Sequence, residues 1–518
     1  MANFLLITSD QQHYLTLGAV SPGIKTPNLD RLAARGIRFD RAYCPNPTCT
    51  PTRASLLTGM WPSVHGAYTL GTKLDESVPV IGDVMRRAGH RSGLIGKAHF
   101  QPLTSTPECE SVEAYPTLRD LDFWRTFNDT HTPWYGFDHA ELSRNHTDEG
   151  HVGQHYAIWL EEKGFTQWRD YFQPRTDHVR DTPTDASKAP TPDESWGPGG
   201  RKSMSWALPA ELHYTTWTAE RTNAFIESAG DTPWFCWSSY HDPHPPYAVP
   251  EPWASMYDPA DMDWLIGAFV PGEFDDMPPP HRDSRDPNAD FSKYNPDGRG
   301  SHGSKYQPDI GRDKLRQIAA AYCGMVSFMD DRIGTTLDLL ESTGQLDDTL
   351  IMFTTDHGHF LGQHGLLEKG PYMYEDVIRV PMIAAGPGLP SGAVNDKPQT
   401  LVDMPATIAG HVGDVPRWMQ GRDCMPDWKA GAGRDHVIVE HHHNGDVVHV
   451  RTLVTQTHKL TVWRNQPDWG ELFDLVNDPD ERTNLYHTDV ELRAKMLEAF
   501  MQAELDREWS PQIRVSGA

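Results

Sequence analysis

Short apolar runs alternate with helical repeats along the first two-thirds of the chain. "NFLLIT" precedes the amphipathic "PNLDRLAARG", and "SGLIG" follows "VIGDVMRRAG". "PWFCWSSY" follows "TTWTAERTNAFIESAG", and "TLIMFTT" follows a long amphipathic segment from about Asp313 to Thr343. Strands that alternate with helices predict a mostly parallel central sheet covered by helices on both faces. From about Leu103 to Arg312 the chain is rich in Pro, Gly, Asp and Trp, and "RDTPTDASKAPTPDESWGPGG" (Arg180 to Gly200) reads as a loop on composition alone. Long loops of this kind are expected to wall a pocket. After about Asp435 the rhythm changes. "VVHVRTLVTQTHKLTVWR" alternates like an antiparallel hairpin, "GELFDL" adds a strand, and "DVELRAKMLEAFMQAELDREW" reads as a closing helix. The expected division is a large α/β domain over 1–435, with long insertions at about 103–312, and a small α+β domain over 436–518.

Composition narrows the class. The chain has 518 residues, 38% of them hydrophobic, and no apolar run reaches the roughly 20 residues of a membrane span. The start "MANFLLITSDQQ" lacks the basic region and cleavage site of a signal peptide, and the six cysteines show no paired spacing. A cytoplasmic location with reduced thiols is the expectation. The net charge of −26 argues against nucleic acid and anionic membranes as partners, because both select basic faces.

The chemistry gathers where strands stop. "LLITSDQQ" ends at Asp10 and Gln11, and "GLIGKAHF" at Lys97 and His99. "CWSSYHDPHPPY" ends at His241, Asp242 and His244, and "IMFTTDHGH" at Asp356, His357 and His359. In an open parallel sheet, ligands bind outside the carboxyl ends of the strands. Two aspartates brought together repel unless a cation lies between them. With Gln11 and His357 alongside, the donors suit a divalent ion of the Mn or Ca type better than a structural zinc. The bland alternative is that each aspartate caps a turn or helix. In "NPTCTPTRASLLTG", Thr50 is a candidate N-cap and Pro51 fits a first helical turn. Cys49 then sits at the positive end of a helix, with Arg53 four residues on. A buried structural cysteine is the ordinary alternative, but it explains neither Pro51 nor Arg53.

These residues resemble a known family. "CTPTRASLLTG" resembles the signature C-x-P-x-R-x-x-x-L-x-T/S-G of the type I sulfatases of the alkaline phosphatase superfamily, whose cysteine is oxidised to formylglycine. "GLIGKAHF", "DPHPPY", "FTTDHGHFLGQHGLLEKGPYMYEDVIRVPMI" and "ELFDLVNDPDERTNLY" resemble further segments of that family, so the likeness runs along nearly the whole chain. It implies an alkaline-phosphatase-like α/β sandwich with a small C-terminal antiparallel domain. It also implies an arylsulfatase-type hydrolysis of sulfate esters. One divalent ion, Mn or Ca, would be held by Asp10, Gln11, Asp356, His357 and the modified Cys49. Arg53 would hold the formylglycine hydrate, Lys97 and His99 would orient and deprotonate it, and His244 and Lys369 would meet the substrate. One hydroxyl of the hydrate would attack sulfur as the sulfur–oxygen bond to the alcohol breaks and the alcohol leaves, helped by a cation or general acid; the other would lose its proton and expel sulfate as the aldehyde reforms. The implied partners are a small sulfate ester, a formylglycine-generating enzyme during maturation, and further copies of the chain in a homo-oligomer.

Asp10-Gln11 and Asp356-His357 stand where many sulfatases carry Asp-Asp and Asp-Asn, a variant similar to the choline-sulfatase and phosphonate monoester hydrolase branches. The nearest rival is therefore a phosphonate monoester or phosphodiester hydrolase using the same site, since such a site stabilises either oxyanion. A thiol phosphatase would need a C-x5-R loop, and position 55 is Ser55. Elsewhere, "EHHHN" (Glu440 to Asn444) reads as a solvated strand end rather than a metal site, and the tryptophans of "WRTFNDTHTPWYGF" as packing.

Overall fold

The computed structural model describes residues 2–144, 152–172, 206–284, 290, 294, 305–306, 310–442 and 448–507. The Arg180–Gly200 segment, His443 and Asn444 lie outside the described residues.

A nine-stranded sheet forms the centre. Its strands lie in the order Ala393–Asn395, Ile37–Tyr43, Arg379–Ala385, Thr349–Thr355, Asn3–Ser9, Trp234–Ser239, Arg91–Gly96 and His139–Leu142, with Gln399–Thr400 also pairing to Ile37–Tyr43. Pairing is parallel except along Arg379–Ala385, which runs antiparallel to both neighbours. The expected mostly parallel sheet is present. Its central strands are buried on both faces, which is why they read as unbroken apolar runs.

Alternation along the first strand feeds two cores. Phe4 and Leu6 enter one with Leu56, Leu57 and Met352. Leu5 and Ile7 enter the other, where the helices Pro27–Arg35, Tyr214–Ala229 and Arg312–Ser342 contribute Leu29, Leu32, Phe225, Ile226, Met329, Ile333 and Leu337. These three helices and Ile81–Arg87 match the expected helical repeats.

The irregular middle holds more structure than its composition suggests. It supplies the edge strand His139–Leu142 and the helices Leu121–Thr130 and Gln154–Glu162. Trp124 and Trp134 are buried there as packing residues. Among the described residues, no helix is long and apolar enough to cross a membrane.

A separate antiparallel sheet comprises His436–His442, His449–Thr455, His458–Trp463 and Gln466–Asp474 in sequence order. The helix Val490–Asp506 packs on it through Met496 and Ala503. Its first strand touches the large layer directly: Glu440 N–H donates to the Pro45 carbonyl (2.8 Å). Glu440 is buried and also accepts from Ser63 Oγ (3.0 Å) and Arg507 Nη1 (2.5 Å). That corrects the reading of Glu440 as part of a solvated strand end: Arg507 balances its buried charge and Ser63 adds a hydrogen bond.

Candidate active site

Strand register brings the polar ends together. Ser9 lies opposite Thr355, while Thr8 and Gly96 both lie opposite Ser239. Asp10, Asp356, Lys97 and the turn after Ser239 therefore leave the sheet at one level. The helix Cys49–Thr58 points its N-terminus at the same place, and all ten of its residues are buried.

That helix begins earlier than the sequence suggests. Thr48 holds the N-cap position in extended backbone, so Thr50 lies inside the helix and is not its cap. The reason is Asn46, whose Oδ1 accepts from Thr48 N (3.0 Å) and Thr48 Oγ1 (2.6 Å), while its carbonyl accepts from Thr52 Oγ1 (2.7 Å). An Asx turn organises the entry to the helix. Cys49 still occupies the positive helix end.

Around Cys49 Sγ stand Lys369 Nζ at 2.9 Å, His357 Nε2 at 3.2 Å and Asp10 Oδ1 at 3.7 Å. Donor atoms of Asp10, Cys49, Asp356 and His357 lie within 4.8 Å of one another, the only such His/Cys/Asp/Glu group among the described residues. Gln11 adds an amide whose buried Oε1 has no hydrogen-bond partner among them. An orphaned buried acceptor beside two carboxylates fits a hard divalent cation.

Cations hold the carboxylates in place. Arg53 donates through Nε to Asp356 Oδ2 (2.8 Å) and through Nη1 to the Lys97 carbonyl (3.0 Å) and Ser239 Oγ (2.8 Å), with Nη2 3.8 Å from Asp10 Oδ2. Lys97 Nζ donates to Asp10 Oδ2. Lys369 Nζ also lies 3.2 Å from His244 Nε2, and His244 Nδ1 meets the Pro245 carbonyl at 2.5 Å. His99 adopts φ +58°, and its Nδ1 has no hydrogen-bond partner among the described residues.

Burial opposes ionisation of Asp10, but the charges of Lys97, Arg53 and Lys369 outweigh it and hold the carboxyl well below the usual range. Burial also keeps the imidazoles neutral: His357 falls to about 4, and His99 and His244 lie well below their ordinary value, helped by Lys97 and Lys369 respectively. Burial and then Asp10 push the Cys49 thiol up to about 11, despite Lys369 and Lys97. At neutral pH the thiol keeps its proton, so an unmodified Cys49 is a poor nucleophile. Arg53, Lys97 and Lys369 against two carboxylates favour an anion here despite the charge of the whole chain.

Not every strand-end residue faces this centre. His241 Nε2 meets the Ser143 carbonyl (2.7 Å). Asp242 accepts from Thr215 Oγ1 (2.6 Å) and Tyr214 Oη (3.1 Å), its carboxyl pushed up to about 7 by burial. Both anchor the turn after Ser239. Sequence reasoning missed Glu113, whose carboxylate accepts from the backbone N–H groups of His99 (2.7 Å), Phe100 (2.9 Å) and Gln101 (3.0 Å). It holds the left-handed turn that carries His99. A lone glutamate in an irregular region gives no local signal of that role.

The sulfatase family model matches residues 2–414. The chain belongs to the sulfatase family. It is a hydrolase of the sulfuric ester class, and a second model, the C-terminal part of N-sulphoglucosamine sulphohydrolase, matches residues 362–508. Its relatives include the multifunctional alkaline phosphatase superfamily protein PehA of Trinickia caryophylli, 30% identical over 448 residues that cover 84% of this chain and 78% of that one. The choline-sulfatase of Rhizobium meliloti is 26% identical over 499 residues, 93% of this chain and 82% of its own. Among solved structures, the phosphonate monoester hydrolase SpPMH from Silicibacter pomeroyi shares the fold at a TM-score of 0.75 and 24% identity, covering 99% of this chain and 96% of that one.

Proposed function

We propose that this sulfatase hydrolyses sulfate esters of the aryl type with a formylglycine hydrate made from Cys49. The observation that carries the reading is the position of Cys49: at a buried helix start, inside the Asp10–Asp356–His357 cluster, with Lys369 Nζ 2.9 Å away. Sγ stands where the oxygens of the hydrate would be. Asp10, Gln11, Asp356, His357 and the modified side chain would hold one divalent ion, Mn or Ca, whose charge acidifies a hydroxyl and offsets the two carboxylates.

The chain's own residues then divide the work. Arg53 fixes Asp356 and, through its Nη2 edge, faces Asp10. Lys97 sets Asp10 and adds positive charge for the bound ester. His99, neutral and with Nδ1 open, takes the proton whose loss expels sulfate. Lys369 and His244 meet the leaving oxygen, with Lys369 giving the charge that steadies it.

A second reading is supported by a relative named as multifunctional and by the fold shared with a phosphonate monoester hydrolase. The same residues would accept a phosphonate monoester or phosphodiester. Comparing kcat/KM on nitrophenyl sulfate and nitrophenyl phenylphosphonate, with the formylglycine fraction measured on the same protein, separates the two. A higher value on the sulfate supports the first reading; a strong preference for the phosphonate replaces it with the second.

A further inference from the structure

His359 follows two residues after His357, is fully buried, and has no role in the chemistry above. Its Nδ1 lies 2.6 Å from Gln11 Nε2, and its Nε2 lies 2.7 Å from Tyr247 Oη. Its ring stacks on Tyr322 with centroids 5.0 Å apart and planes 10° from parallel. Tyr322 also fixes the backbone of the residue His359 touches: its hydroxyl donates to the Gln11 carbonyl (2.7 Å) and accepts from His13 N–H (2.7 Å). Gln11 is held there at φ +66°, where a non-glycine residue stays only when its surroundings enforce it. Gln11, Tyr247 and Tyr322 are likewise buried.

A glutamine has a problem that an aspartate at the same position would not. A carboxylate presents oxygen whichever way it turns, whereas an amide presents oxygen one way and an N–H pair the other. A cation accepts the first and is repelled by the second. We infer that His359 is a positioning residue that turns the Gln11 amide so that its oxygen, and not its nitrogen, faces the divalent ion. The inference rests on the metal-site reading above. In the tautomer protonated on Nε2, His359 donates to Tyr247 Oη and offers its Nδ1 lone pair to the Gln11 amide N–H. The amide oxygen is then left aimed away from the ring, as the orphaned buried Oε1 is. The opposite tautomer would draw Oε1 to the ring and point the amide nitrogen at the cation. Tyr247 completes the device by accepting the hydrogen bond from Nε2–H on the far side of the ring.

The test is a double-mutant cycle on the full chain stripped of metal, titrated with Mn²⁺ alone in competition with a fluorescent chelator. His359→Phe keeps a flat ring but removes the acceptor, and is expected to weaken Mn²⁺ binding by about 10- to 100-fold, the usual cost of losing a partner behind a metal ligand. In the Gln11→Glu background either side-chain oxygen serves, so the same change is expected to cost less than about threefold. Tyr247→Phe removes a single hydroxyl and keeps the packing, so it carries the same comparison if His359→Phe does not fold. Equal losses in both backgrounds, or no loss in either, overturn the positioning role. Asp356→Asn distinguishes the two levels. If it retains full Mn²⁺ affinity, the metal site itself is wrong; if it abolishes binding while the cycles are additive, the role of His359 alone is wrong.

Discussion

Lys369 Nζ lies 2.9 Å from Cys49 Sγ, at the start of a short irregular stretch that directly follows the strand Leu366–Glu368. The chain leaves the strand at Glu368, whose backbone is left-handed (φ +69°), and the stretch is held further on by Tyr372 Oη, which donates to the Pro280 carbonyl (3.1 Å). Lys369 is only 6% exposed, so it is not part of a surface ion pair. Burial opposes its charge, but the Asp10 and Asp356 carboxylates favour it and its pKa is raised, so the ammonium persists in the site. Lys369→Ala is expected to slow esters of poor leaving groups by about 100-fold or more and those of good leaving groups far less. Rates on a series of substituted phenyl sulfates check this, and a uniform loss across the series would reduce Lys369 to a binding contact.

Asp356 ties three parts of the site together. Its Oδ1 accepts from the N–H groups of Gln11 (2.9 Å) and His357 (3.0 Å), while Oδ2 accepts from Arg53. Asp356→Asn removes a donor and a compensating charge at once. Loss of stoichiometric divalent metal and of turnover together is the expected outcome, read by elemental analysis beside activity. Full metal content with full turnover would sink the site.

The active fraction of a preparation is expected to equal its formylglycine fraction. Peptide mass spectrometry over residues 42 to 53 gives the second quantity, and a titrated burst or a specific activity gives the first. Cys49→Ser is expected to leave the melting temperature near that of the parent and to abolish multiple turnover, because serine has no second hydroxyl with which to expel sulfate. Full activity in wholly unmodified protein would overturn the mechanism.

A pH prediction comes from His65, which is 5% exposed. Its ring nitrogens meet Ser55 Oγ (3.1 Å) and Ala67 N–H (3.1 Å), and burial pulls it down to about 4 against the opposing pull of Glu440. The unfolded chain therefore binds more protons than the native one between about pH 6.5 and 4. The stability that the neutral ring contributes is complete above about 6.5 and is lost as pH falls through about 4. The shift corresponds to about 3 kcal/mol at most. His65→Asn keeps an acceptor for Ala67 and removes the titration, so thermal melts across that window should show a shallower loss. An unchanged slope would mean that the ring is already charged in the folded protein.

The site was largely legible in the sequence because each strand announces its own end. An apolar run followed at once by Asp10-Gln11 or Asp356-His357 is a local signal, and local signals survive without coordinates. What failed to show depends on contacts between distant residues. Arg379–Ala385 is masked by Pro381, which a regular strand excludes. Here the register shifts between Val380 and Met382, a bulge that accommodates the proline. Ile37–Tyr43 is broken up by Arg38 and Asp40, which pair with each other (2.9 Å) instead of marking a loop. Glu113 and Ser239 acquire meaning only from the backbone turn and the guanidinium that the fold brings to them. Thr50 does not cap the helix because Asn46 begins the turn earlier, and no local pattern in the sequence reveals that.

The contact between Glu440 and Pro45 also bears on when the modification of Cys49 proposed above would have to occur. Cys49 is only 1% exposed in the finished protein, so no other enzyme can reach its thiol there. The strand that grips the loop before it is made roughly 390 residues later, about 20 to 80 s at about 5–20 residues per second of synthesis. Until that strand arrives, the backbone around Pro45 lacks one of its anchors and the thiol can remain within reach of a visitor. Chain order would thus leave the chemically decisive residue near the front and one of the contacts that shuts it in near the back. A circular permutant that begins with the C-terminal sheet would shorten that interval, and its yield of modified Cys49 should fall even where its final structure is the same.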